Sequence, residues 1–200
     1  MAKTATVEQR VLRRAQAHAA TRGSILESAR RVAAREGARD LSLRAVAAEA
    51  GFAPAALYGY FRNKDELLLA LAAEDLSTLA RAMREADAAP GQGKLAAAAS
   101  AALGLLCETE TMAAASGALS SSVGANEAER LFNGRLIAVL RAFSDATGNR
   151  AVNREGQCDV VLVAAAVTGL ALLARSGRLA ALGFSSAEIL DRLDAHFSHR

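Results

Sequence analysis

The side chains able to make or break bonds are few in this 200-residue chain, and they are scattered. Its three histidines, His18, His196 and His199, stand near the two ends without a partnered nucleophile. No HExxH run and no glycine-rich phosphate loop occurs. No helix-forming stretch pairs carboxylates with histidine at ligand spacing, so neither a metal nor a cofactor is expected. Cys107 and Cys158 are far apart and also lack ligand spacing, which implies a reduced, cytoplasmic setting. Cys107 reads as a small buried apolar side chain in preference to a redox sensor. A secretory signal is not expected, because Glu8 and several arginines stand where an apolar run would be needed. A helical enzyme is thereby left without machinery, and the chemistry within reach is binding.

Charge says where. Residues 1–64 hold 12 Lys/Arg against 5 Asp/Glu, whereas residues 65–200 hold 12 against 16, so the excess of positive charge is confined to the first third. A phosphate backbone is the natural counter-surface, because each neutralised phosphate releases condensed counterions. A solvated basic surface explains the same count.

Within that third, Leu41 to Leu68 reads as three short helices joined by tight turns. Ser42 can accept from the free amides of the first helix, whose inward face is Leu43, Val46, Ala47 and Ala50. Gly51 stops it, since glycine takes the left-handed conformation at low cost. Phe52 fills the corner. Pro54 suits the first position of the second helix, which buries Leu57 and Phe61 and turns Ala55, Ala56, Tyr58 and Gly59 outward. Asn63 and Glu66 have capping-box spacing for the third helix. Upstream, Arg22 to Glu36 shows Ile25, Ala29, Val32 and Ala33 on one side and stops at Gly37. This is a helix-turn-helix with two supporting helices.

Ala47, Gly51 and the run Leu57-Tyr58-x-Tyr60-Phe61-x-Asn63-Lys64-x-x-Leu67-Leu68 resemble the DNA-binding signature of the TetR family of bacterial transcriptional regulators. The resemblance is dense from about Ile25 to Leu71. It implies an all-α protein: a basic N-terminal arm (1–21), a three-helix helix-turn-helix domain (22–68) and a helical effector-binding and dimerisation domain (69–200). It also implies a homodimer on a pseudo-palindromic DNA operator, acting as a repressor and released by a small-molecule effector. Carried over residue by residue, Tyr58 and Tyr60 give hydroxyls to phosphates and Lys64 adds charge at the start of its helix. Arg44, close behind the capping Ser42, reaches a base edge, most naturally guanine, or another phosphate. The family commonly has Ser or Thr at the position of Ala53 and often Thr at that of Ala56. Ala55, Ala56 and Gly59 offer no hydrogen bonds, so readout falls to Arg44, to methyl contacts with thymine and to DNA shape. The arm, with Arg10, Arg13, Arg14 and His18, reads as disordered or as an extra helical turn or two; it either follows the DNA backbone or enters a minor groove, or is a frayed terminus.

The third helix should run on through Leu71, Leu79 and Met83 to the break at Ala89-Pro90-Gly91, long enough to carry a displacement between domains. Leu95 to Cys107 is nearly all apolar. Met112 to Val123 is weakly patterned, with Ser120 to Ser122 and Gly124 breaking it. Helix returns near Asn126 and stops near Thr147-Gly148-Asn149. Leu103, Cys107, Met112, Phe132 and Leu136 are candidate pocket residues, each also readable as core; with so few aromatics and no buried charge cluster, any effector should be mostly apolar. Val160 to Ala174 is fifteen residues without a charge, short of the ~20 a membrane span needs. An all-apolar helix needs partners on every side, so Val160, Ala164, Val167 and Ala171, with Ile189 and Leu193 of the last helix, are expected to meet a second copy, as the resemblance also implies. Two rivals remain: a constitutive DNA-binding protein without effector, and a helical protein-interaction adaptor, which leaves the basic third, Tyr58 and Lys64 unexplained.

Overall fold

The computed structural model describes residues 2–109, 111–119, 126–148 and 153–197, with side chains from residue 8 onward. Every regular element among them is helical: α1 (Ala2–Glu36), α2 (Leu43–Ala50), α3 (Pro54–Leu57), α4 (Lys64–Glu85), α5 (Lys94–Glu108), α6 (Thr111–Ser116), α7 (Glu127–Ala146), α8 (Arg154–Arg175), α9 (Arg178–Ala181) and α10 (Ser186–Phe197). Ser120 to Ser122, Gly124, Asn149 and His199 lie outside the described residues.

The helix expected from Arg22 begins twenty residues earlier. Residues 2–21 contain no glycine or proline and are rich in Ala, Gln and Arg, so they extend a helix already nucleated by the packed turns around Ile25 and Ala29.

Two hydrophobic cores are built. The first gathers Ile25, Leu26, Ala29 and Val32 of α1, Val46 and Ala47 of α2, and Leu57 and Phe61, against Leu67, Leu68, Ala70 and Leu71 of α4. The second gathers the rest of α4 (Leu69, Ala72, Leu76, Leu79, Met83) with α5, α7, α8 and Leu190 of α10. α4 therefore belongs to both. Its 22 residues span ~33 Å at 1.5 Å per residue, with one end in each core.

The apolar run at Val160 sits inside a 22-residue helix that Asn153 caps through Gly156 N at 2.8 Å. By length and composition alone α8 suffices to cross a membrane. Its Val160, Val163, Val167, Leu170 and Ala171 side is nevertheless packed into the second core.

Candidate nucleic-acid interface

α2 starts as its sequence requires. Ser42 accepts from the Ala45 amide at 3.1 Å, and Gly51 ends the helix with φ +73° while Phe52 N donates to Ala47 O at 2.9 Å. α3 then begins at Pro54 with no side-chain cap, as Ala53 dictates. It is shorter than expected: after Leu57 the chain tightens, with Gly59 N on Ala56 O at 3.2 Å and Tyr60 N on Leu57 O at 2.9 Å. Leu57 and Phe61 are fully buried. A side chain at Gly59 would press on the Ala56 carbonyl, since even a Cβ there would lie 3.3 Å from it. Ala55, Ala56, Tyr58 and Gly59 are left as one exposed face, with Tyr58 60% exposed.

The remaining expected contacts differ in how they are held. Arg44 is exposed one residue into α2. Tyr60 is half-buried and stacks on His18 of α1 with ring centroids 4.6 Å apart, a packing that its sequence position did not announce. Arg22, one turn further along α1, lies over the Phe61 ring at 4.9 Å. Asn63 accepts from Glu66 N at 2.8 Å and starts α4, while the Glu66 carboxylate accepts from Arg62 N at 2.8 Å, one residue before the cap itself. Lys64 is half-buried and its ammonium donates to the Arg39 carbonyl, which pins the loop before α2 to the start of α4.

The basic residues divide by partner. Arg30 pairs with Glu74 at 3.1 Å and Asp75 at 2.7 Å, and Arg31 and Arg35 pair with Glu49 of α2 at 2.8 and 3.2 Å. Hydrogen bonds from Arg31 and then Arg35 hold the Glu49 carboxyl below the usual range. These arginines brace the domain. Arg10, Arg13, Arg14, Arg39, Arg44 and Arg62 are exposed.

Residues 25–71 match the family model of bacterial regulatory proteins of the tetR family. That stretch runs from Ile25 of α1 through α2 and α3 to Leu71 of α4, the same residues that build the first core. Solved structures match the fold of the chain over most of its length. It superposes on a protein of unknown function from Rhodococcus sp. RHA1 with TM-score 0.66 at 25% identity, covering 89% of this chain and 93% of that one. BioQ with its natural double-stranded DNA operator gives TM-score 0.58 at 24% identity, covering 88% and 98%. FadR from Bacillus subtilis in complex with stearoyl-CoA gives 0.57 at 18%, covering 88% and 97%. The match over residues 25–71 supports a DNA-binding transcriptional regulator.

Beyond residues 25–71 the structure gives the remaining expected residues these settings. A cavity of ≈250 Å³ opens where α1, α4, α5 and the start of α6 meet, walled by Leu76, Leu79, Leu105, Leu106 and Met112, with Arg30 and Asp75 at one side. Met112 alone of the five candidate pocket residues lines it. Leu103 and Phe132 are buried in the second core, and Leu136 and Cys107 pack against that core, because apolar positions on one helix face fill space before they line it. Val160, Val167 and Ala171, expected to meet a second copy, are buried in the second core of their own chain; Ala164 and Leu193 are half-buried and Ile189 is exposed. The outward face of α8 is Val161, Leu162, Ala165, Thr168, Gly169 and Leu172, offset by about half a helical turn from the residues expected.

Proposed function

We propose that the protein is a repressor that binds a pseudo-palindromic operator as a homodimer in the cytoplasm and leaves it when a small, mostly apolar effector binds residues 69–200. The observation carrying the reading is the exposed face of Ala55, Ala56, Tyr58 and Gly59, held rigidly because Leu57 and Phe61 beneath it are fully buried. Such a face is smooth enough for a duplex to approach closely. Ser42 would orient the start of α2, Tyr58 and Tyr60 would donate to phosphates, and Arg44 would reach a base edge. Lys64 keeps N–H directions free beyond its bond to Arg39 and would add charge at the amide-rich start of α4.

The outward apolar face of α8 supports a second copy: Leu172 is 70% and Leu162 57% exposed, and a Cβ at Gly169 would meet nothing within 4 Å, so another helix can approach closely. A two-fold dimer presents its two reading heads about one turn of duplex apart or a little more. The cavity beside Arg30 supports an effector site. Its ≈250 Å³ lies under the usual ≈300–1,000 Å³ of ligand pockets, which favours a compact molecule. The packing of Leu103 and Phe132 into the core favours the second reading, a constitutive DNA-binding protein without effector.

The test is enrichment from a random duplex pool by the purified protein. The expected product is an inverted repeat; a pool that stays random after several rounds refutes the reading.

A further inference from the structure

The amino-terminal extension of α1 has no role in either core. Residues 8–20 are exposed throughout, yet they are helical and continuous with the turns that pack against α2 and α4. At 100° per residue, Arg10, Arg14 and His18 follow one another at intervals of four along one side, with Arg13 flanking them. His18 ends that stripe by stacking on Tyr60 at 4.6 Å, and Tyr60 stands two residues from exposed Tyr58 on the proposed duplex-facing turn. The stripe and the reading face are therefore continuous. Arg14 stands ~6 Å and Arg10 ~12 Å further along the helix axis than His18, at 1.5 Å per residue.

We propose that residues 10–18 of α1 form a rigid basic rail that binds DNA phosphates beyond the stretch covered by α2 and α3. The proposal rests on the DNA-binding reading of that face and adds a second, sequence-independent contact to it. Helical structure decides between the modes open to the sequence. A helix ~10–12 Å across does not enter a minor groove ~6 Å wide, so the stripe lies along the backbone and does not insert between the strands. Charge selects the occupant. Val11 and Leu12, the large apolar side chains of residues 8–20, are sequence neighbours and build no apolar stripe for a partner helix or a bilayer, whereas the three arginines face a single acidic residue, Glu8. Arg30, Arg31 and Arg35 are committed to Glu74, Asp75 and Glu49, which leaves the rail as a main source of uncommitted positive charge beside the reading face.

The experiment uses the full chain and a random-sequence 40-base-pair duplex across ~25–200 mM KCl, comparing wild type with R10Q/R13Q/R14Q and R10K/R13K/R14K. Each engaged arginine contributes about 0.9 to the slope of log affinity against log salt, so the glutamine variant should lose about 2–3 from it per protomer, and the lysine variant should retain it. Circular dichroism should show equal helicity in all three. Glutamine and lysine variants that behave alike, or a glutamine variant with unchanged slope, overturn the rail while wild-type binding leaves the helix-turn-helix reading standing. Absence of wild-type binding at the lowest salt refutes both. Loss of retention on phosphatidylglycerol vesicles with an unchanged DNA slope would assign the stripe to a membrane and also overturn it.

Discussion

In the proposed binding mode Tyr58, Arg44 and Lys64 would carry different parts of recognition, and their settings separate them. Arg44 is exposed beside the helix start that Ser42 caps, so Arg44→Ala should relax base preference at one position per half-site; equal loss on every operator variant in a binding series would contradict base reading. Lys64→Ala should weaken binding to all sequences alike, lower the salt slope by about 1, and free the loop at Arg39 that it holds. Glu49 makes a pH prediction. Its carboxyl is held below the usual range by Arg31 and Arg35, so its contribution to α1–α2 docking is complete above the ordinary carboxylate range and lost as pH falls through the lowered value. Thermal melts from pH 7 to 3 should show a decline that Glu49→Gln lacks. Residue-level features of short range were legible in the sequence: Ser42, Gly51, Pro54 and Asn63 each act on neighbours within four positions. The His18–Tyr60 stack and the Arg30–Asp75 pair join residues more than forty apart, and no local pattern specifies them.

α4 is the element on which the two halves depend. Leu67, Leu68 and Leu71 fasten it in the first core and Leu69, Leu76 and Leu79 in the second, so a rotation of one end is felt at the other. Asp75 makes the link specific: it accepts from Arg30 of α1 and from the Thr111 hydroxyl of α6, beside the cavity. Burial works against the Arg30 charge, yet Asp75 and Glu74 overcome it and hold the guanidinium above its ordinary value. Asp75→Asn should cost on the order of 1–2 kcal/mol in denaturant melts, the scale of a weakened charge-assisted hydrogen bond. The last helix is held by a smaller device. Gly93 gives α5 no side-chain cap, and Asp194 of α10 supplies one by accepting from Ala96 N at 3.2 Å. A Cβ at Gly93 would lie 1.9 Å from that carboxylate, so Gly93→Ala should displace α10 and lower the melting temperature more than Gly91→Asn in the same turn. The long helices were readable from their periodicity. The length of α1 was not, because exposed helix without a buried face leaves no periodic signal.

As a whole the molecule puts an exposed apolar face on α8 at one place, and exposed arginines beside the proposed duplex-facing surface of α3 at another. Periodicity identified α8 as too apolar for one chain, and its small residues Ala165, Thr168 and Gly169 do lie on the exposed side, but it did not show that Val160, Val167 and Ala171 would be taken into the chain's own core. Leu172→Asp should accordingly convert a dimer to a monomer in sedimentation without loss of helicity, and should weaken operator binding by removing the second head; a dimer that persists assigns the interface elsewhere. The central claim, that the face of α3 lies against a duplex, is tested most directly by placing a carboxylate on it. Ala56 is exposed, so Ala56→Glu should leave the melting temperature within a degree or two while reducing affinity for an enriched duplex at least a hundredfold in fluorescence anisotropy. Affinity within about twofold of wild type, in a protein equally well folded, would contradict the account.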